Sequence, residues 1–285
     1  MPIPNTLRET LIFEGVGLHT GEPCKIALHP APPTPSASMR EFCPTQITVR
    51  VGAHEFPARW DYVVDATRAT VLGDGVVRVG TVEHLMAALW LTGVTHCVIE
   101  VLQGREVPIL DGSALPFVEA IGAESRPLHT AQGVHRAVQV ASGERYLALS
   151  LSGDWLFGYI QFPEPLGVQA GAFRCADAPT SIAPARTFGF LHEVEALRRQ
   201  GLARGGALHN ALVIDENGYH NPARFTDEPL RHKLLDALGD IYLCGVYLPQ
   251  FTLVAVKPGH ALNVQLARLL AQALNAEDNL WRSSD

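Results

Sequence analysis

The residues best equipped for chemistry in this 285-residue chain stand in the run Arg231–Asp240, RHKLLDALGD. His232, Asp236 and Asp240 recur there at i, i+4 and i+8. On a helix such positions share a face, with neighbouring Cβ atoms roughly 5–6 Å apart. That spacing lets an imidazole and a carboxylate grip one metal ion from adjacent turns. Asp240, one turn further on, is placed to support the site from behind. The opposite face carries Leu234, Leu235, Leu238 and Ile241 at helical spacing. By itself H-x-x-x-D fits a solvated polar face better than a metal site. It gains weight because a second cluster supplies the missing parts.

That second cluster is Glu83-His84, at the start of TVEHLMAALW, together with His260 in KPGH. Two His and one Asp are three N/O ligands, and three protein ligands leave zinc an open fourth position, the pattern of catalytic sites. A metal lowers the pKa of the water it binds to about 7. A carboxylate beside a ligand can then serve as general base, and Glu83 adjoins His84. His260 has the intrinsic pKa to protonate a leaving group, with Asp240 to orient it. His29, His54, His129 and His220 stand in polar or loop contexts and read as surface residues, and His96 reads as packing.

The elements that must position these groups follow from periodicity and turn residues. Thr6–Pro30 reads as a hairpin, Ala31–Ser38 as a loop, and Gln46–Val51, Glu55–Ala58, Ala69–Leu72 and Val76–Val79 as strands. A helix over Val82–Leu91 ends at Gly93. His96–Val101 and Glu106–Leu110 read as extended, and Ser113 can cap a helix through Pro116–Ile121. The polar stretch Gly122–Gly133 lacks periodicity and marks a boundary between domains 1–125 and 126–285. Beyond it come strands at Val134–Val140, Tyr146–Leu151 and Trp155–Phe162, a loop over Pro163–Phe173, and a short helix over Leu191–Gln200. A strand at Ala211–Ile214, the Arg231 helix, a strand at Thr252–Val256 and a helix from Ala261 to about Asn275 complete the chain. The expected class is α+β. Two similar domains, each a sheet backed by helices, are the natural architecture, with a site assembled from both halves in the cleft between them.

Composition narrows the partners. Hydrophobic residues make up 47% and charged residues 18%, which is globular and not disordered. A net charge of −7 argues against nucleic-acid binding, which needs a basic face. The five cysteines are scattered without a C-x-x-C, which fits a reducing cytoplasm better than a disulfide framework. MPIPNTLRET has neither the basic nor the apolar region of a signal peptide, and no apolar run approaches the roughly 18 residues of a membrane span. The expectation is a cytoplasmic monomer acting on a small molecule.

Six motifs occur in order: EGVGLHTG (Glu14–Gly21), TVEHLMAAL (Thr81–Leu89), VPILDGSALPFV (Val107–Val118), ARTFGF (Ala185–Phe190), RHKLLDALGD and KPGHALN (Lys257–Asn263). Together they closely resemble the zinc-dependent UDP-3-O-acyl-N-acetylglucosamine deacetylases, which commit a bacterial cell to lipid A synthesis. The resemblance covers nearly the whole chain and implies a pair of two-layer domains whose helices pack against each other, with the site at the junction. It implies His84, His232 and Asp236 as zinc ligands, Glu83 as general base, and His260 as general acid oriented by Asp240. It implies the Thr187 hydroxyl as the group that stabilises the oxyanion. Lys233 matches a lysine near the substrate's anionic part, and Phe162 and Phe188 match aromatic substrate contacts. The insert 191–214 matches an apolar passage for the acyl chain, lined by Leu191, Val194, Leu202 and Ala211.

This chain departs from the family pattern around the head group. Glu144-Arg145-Tyr146 stands where the family has a D-K-W-like run, so Arg145 takes the phosphate role with a fork geometry suited to it. Gln161 and Glu164 replace an acid and a His, and Arg204 and His209 stand where apolar or acidic residues are common. Two other readings therefore stay open at this point. One is the same chemistry on another N-acetylated sugar or lipid. The other is a non-catalytic binding protein, against which the intact Glu83, His84, His232, Asp236 and His260 argue.

Overall fold

The computed structural model describes residues 5–32, 43–122 and 137–282. Two five-stranded sheets carry the architecture, one in each half of the chain. In the first, Leu11–Val16 pairs antiparallel with Pro23–Pro30, and Gln46–Val51 with His54–Pro57. The strand that comes last, His96–Gln103, enters between the two hairpins. It runs antiparallel to Pro23–Pro30 and parallel to Gln46–Val51. The second sheet repeats the plan. Ala137–Ser142 pairs with Arg145–Ser150 and Trp155–Gln161 with Val168–Arg174, and Thr252–Val256 enters between them. It too is antiparallel to the first hairpin and parallel to the second.

Both sheets thus have the order first, second, fifth, third, fourth. In each half the last helix before the fifth strand is a largely buried one, Glu83–Leu91 in the first and Glu228–Tyr242 in the second. Another follows it, Leu115–Ile121 in the first half and His260–Arg282 in the second. The chain carries no short sequence repeat, yet its α+β topology is duplicated, and the two central helices occupy equivalent places.

Those two helices pack on each other and fix where the site can be. Glu83–Leu91 is buried from Glu83 through Trp90, which explains why its sequence is apolar on every side. Glu228–Tyr242 is buried on both faces, the Leu234, Leu235, Leu238 and Ile241 stripe and the His232, Asp236 and Asp240 stripe alike. The polar stripe therefore faces protein, not solvent. The two approach closely at Gly239, where an added Cβ would stand 1.9 Å from the carbonyl oxygen of Glu83. Only glycine permits that approach. Buried side chains stitch the halves together: Trp90 Nε1 donates to the Leu248 carbonyl at 3.1 Å, and Tyr242 donates to the Val94 carbonyl at 2.7 Å.

Three expectations need correction. Val168–Arg174 is a strand, not part of a loop. Its VQAGAFR sequence hides this because small residues stand where alternating bulky ones would announce a strand. Glu106–Ile109 is extended, as expected, though it joins none of the sheets. It is tied by a single parallel bridge, Gly80 to Glu106, and by a bond from Ile109 N to Val16 O. The ligand helix starts at Glu228, before Arg231, with Pro229 in its first turn where a missing N–H costs nothing. The N-cap of the Leu115–Ile121 helix is Ala114, not Ser113, and it makes no side-chain cap bond; the Ser113 hydroxyl accepts the Leu115 N–H at 3.2 Å from just before it. The expected boundary stretch lies mostly outside the described residues, as does His129.

Candidate metal centre

Glu83 and His84 open their helix under a buried Thr81 whose φ is +57°. That turn aims both side chains at the facing helix. His232, Asp236 and Asp240 project from successive turns of Glu228–Tyr242, all of them buried. Nitrogen or oxygen atoms of His84, His232 and Asp236 lie within 4.8 Å of one another. Asp236 Oδ1 is 3.3 Å from His232 Nε2 and 3.6 Å from His84 Nε2. This oxygen is buried and accepts no hydrogen bond from the described residues. A carboxylate oxygen left unpaired in the interior is costly, and a cation between it and two imidazoles removes the cost.

The other ligand atoms are prepared for the same task. His232 Nδ1 donates to the Ala185 carbonyl at 3.1 Å, which leaves the Nε2 lone pair facing inward. Burial pushes the His232 imidazolium down to a pKa of about 3, so the ring is a neutral donor. Burial opposes ionisation of Asp236, but His232 and Lys233 outweigh it and hold the carboxyl well below its usual range. Lys233 Nζ reaches Asp236 Oδ2 at 2.8 Å and so steadies the oxygen that does not face the two imidazoles. The two imidazole nitrogens and one carboxylate oxygen match a three-ligand zinc site.

Acid–base groups flank this cluster. His260 begins its helix with Nδ1 2.9 Å from Asp240 Oδ2, which directs Nε2 toward the ligands, 3.9 Å from Asp236 Oδ2. Burial would lower the His260 pKa, but the charges of Asp240, Asp236 and Glu83 prevail and raise it to about 9. Burial raises the Glu83 pKa, with His260 and His84 opposing. A buried carboxyl group and a protonated imidazole thus flank three metal-type donors.

Comparison with known proteins agrees with this geometry. Residues 4–272 match the family model described as UDP-3-O-acyl N-acetylglycosamine deacetylase. A protein of Myxococcus xanthus named UDP-3-O-acyl-N-acetylglucosamine deacetylase is 42% identical, over 92% of this chain and 84% of its own length. Relatives of the same name in Leptospira biflexa and Thermosynechococcus vestitus are 37% and 39% identical, over 98% and 94% of this chain and 93% of their own lengths.

The chain belongs to this deacetylase family.

The other residues expected at the site are spread more widely. Phe162, Phe188 and Lys233 converge on the ligand helix. Phe162 meets Phe188 edge-on at 5.4 Å, Phe188 meets His232 edge-on at 6.1 Å, and Lys233 Nζ lies 5.8 Å from the Phe188 ring centre. Thr187 precedes this aromatic run. Its N–H donates to Gly112 O at 2.7 Å and its carbonyl accepts from Leu212 N at 2.8 Å, which ties ARTFGF to both halves. Arg145 lies exposed beside the KPGH turn, its Nη1 3.7 Å from where a Cβ on Gly259 would be.

The insert residues are more dispersed. The small core there is Leu166, Phe190 and Ile214, with Phe162, Phe188 and Tyr219 packed around it. Leu191, Val194, Leu202 and Ala211 lie outside that core. The Leu191–Arg199 helix buries none of its residues, and Leu191 is 47% exposed. The surface histidines do have carboxylate partners: His29 pairs with Glu100, His54 with Asp74 and His220 with Asp215. Each has one acid only and is partly exposed, unlike the metal cluster. His96 is buried, its Nδ1 2.8 Å from Thr95 Oγ1.

Three residues at the centre escaped the sequence reading. Glu106, buried, accepts from His19 N, Thr20 N, the Thr20 hydroxyl and the Thr81 hydroxyl, and so clamps the EGVGLHTG loop to the turn before Glu83. His19 thereby lies near the cluster. Burial lowers its pKa, and His260 and His84 lower it further. Its motif was visible, but nothing local tells which of its residues faces the site. Thr70 contacts Glu83, Asp240 and His260, and carried no signal at all.

Proposed function

We propose that this protein is a zinc-dependent deacetylase that hydrolyses the N-acetyl group of UDP-3-O-acyl-N-acetylglucosamine, releasing acetate and a free amine for lipid A synthesis. The observation that carries this reading is the buried trio His84, His232 and Asp236 with an unpaired carboxylate oxygen at its centre, bracketed by Glu83 and His260. A zinc ion held by the trio would supply Lewis acidity to the amide carbonyl and to the attacking water.

The protein groups carry the protons and the charge. Glu83 takes a proton from the water as its oxygen adds to the acetyl carbon. His260 Nε2 then gives its proton to the sugar nitrogen as the C–N bond breaks, while Asp240 holds Nδ1. The Thr187 hydroxyl donates to the developing oxyanion. Lys233 and Arg145 face the diphosphate, Phe162 and Phe188 line the head-group side, and Leu191, Val194, Leu202 and Ala211 line the acyl passage.

The protein works as a cytoplasmic monomer of domains 1–125 and 126–285. No helix among the described residues is long and apolar enough to cross a membrane. The test is an acetate-release assay of purified protein on the UDP substrate, after chelation and after zinc is restored. Zinc-dependent turnover is expected. A zinc-loaded protein that leaves the substrate intact overturns the reading.

A further inference from the structure

Thr70 is completely buried between the two central helices and lies in neither. Its backbone N–H donates to Glu83 Oε2 at 3.0 Å, and its hydroxyl donates to Asp240 Oδ1 at 2.5 Å. The same hydroxyl oxygen is 3.5 Å from His260 Nδ1. Asp240 Oδ2 accepts from His260 Nδ1 at 2.9 Å and from Asn263 Nδ2 at 2.9 Å. A hydroxyl has one proton, and here Asp240 Oδ1 takes it. The Nδ1–H of His260 is then committed to the other oxygen of the same carboxylate.

We infer that Thr70 is a positioning residue that fixes the base and the orienting carboxylate of the acid relative to each other, across the junction of the two halves. This rests on the acid–base roles proposed above. Glu83 comes from the first half and Asp240 from the second. Thr70, from the first, binds one through its main chain and the other through its side chain. Holding Glu83 by Oε2 leaves Oε1 to meet the water. Holding Asp240 by Oδ1 stops the carboxylate rotating about its Cβ–Cγ bond, and so fixes where Nε2 of His260 points. Neither contact touches substrate, so their loss should appear in kcat and leave KM alone.

Thr70→Val keeps the shape and the backbone bond to Glu83 and removes only the hydroxyl. Loss of one hydrogen bond to a charged group predicts a fall in kcat of roughly ten- to a hundredfold. KM should stay within about twofold and zinc content at the wild-type level. Thr70→Ser restores the hydroxyl without the methyl group and should recover kcat to within about threefold of wild type. Equal impairment of Val and Ser variants, unchanged kcat in Thr70→Val, or a loss confined to KM or to zinc content would overturn the inference. If Thr70→Val does not fold, the serine variant decides alone: near-normal kcat supports a hydroxyl role, and a tenfold loss refutes it. Wild-type protein, Glu83→Gln and His260→Ala are assayed alongside. A silent wild type, or normal rates in both of those variants, refutes the catalytic reading itself and is thereby told apart from a failure at Thr70 alone.

Discussion

Removing the Glu228 carboxylate should cost several kcal/mol and loosen the metal site from outside. Glu228 is the first residue of the ligand helix and has no exposed surface. Oε1 accepts from Arg186 N at 3.0 Å and Arg186 Nε at 2.9 Å. Oε2 accepts from Arg186 Nη2 at 3.2 Å and Arg224 N at 2.6 Å. In Glu228→Ala the guanidinium of Arg186, itself buried, keeps only the Pro222 carbonyl. Breaking a buried pair from one side costs about 3–5 kcal/mol. For a chain of this length that lowers Tm by roughly 6–20 °C.

The site should respond as well, because Arg186 adjoins Ala185, whose carbonyl orients His232. Zinc occupancy is expected to fall along with stability. Burial would raise the Glu228 pKa, but the bonds from Arg186 and Arg224 hold it below its ordinary 4.5. A lowered carboxylate pKa stabilises the fold above the unfolded value, and that increment is lost as pH falls through the folded value. The gap between wild type and Glu228→Gln should therefore shrink as pH drops below about 4.5. Thermal and denaturant unfolding of wild type, Glu228→Ala and Glu228→Gln at neutral and acidic pH, with metal analysis, provide the check. A loss under about 1 kcal/mol at neutral pH with full zinc would refute the reasoning.

Five further outcomes are expected. Asp236→Ala should lose most of its zinc by elemental analysis, because two ligands rarely hold zinc as three do. The rate kcat/KM should be bell-shaped in pH: it falls in acid as Glu83 gains its proton, and in alkali as His260, raised to about 9, loses its own. Glu83→Gln and His260→Ala should each reduce the rate on the order of 10²-fold or more with zinc retained, and near-normal rates would exclude them. Arg145→Ala should raise KM for the UDP substrate roughly ten- to a hundredfold at constant kcat, whereas equal KM values would remove Arg145 from the site. Gly239→Ala forces its Cβ into the Glu83 carbonyl, so it should separate the two central helices and lower both Tm and zinc content; a variant with wild-type values of both would contradict that packing.

Spacing along the chain was enough to find the ligand helix, because i, i+4 and i+8 share a face whatever the fold does. It was enough for the Glu83–Leu91 helix and for nearly every strand of the two sheets, where alternation and turn residues are local properties. It could not say that the His232, Asp236 and Asp240 face is buried. A polar stripe reads the same whether water or another helix lies against it, and only the close approach at Gly239 decides. Nor could it find Thr70, which meets Asp240 across 170 residues of sequence. Such a contact has no period and no motif, because it exists only once two sheets of the same order have brought their central helices together. The chain's own letters determined which groups could do chemistry. The packing of two duplicated halves decided which atoms face one another: burial keeps the His232 ring neutral, and the carboxylates brought beside His260 keep that ring protonated against burial.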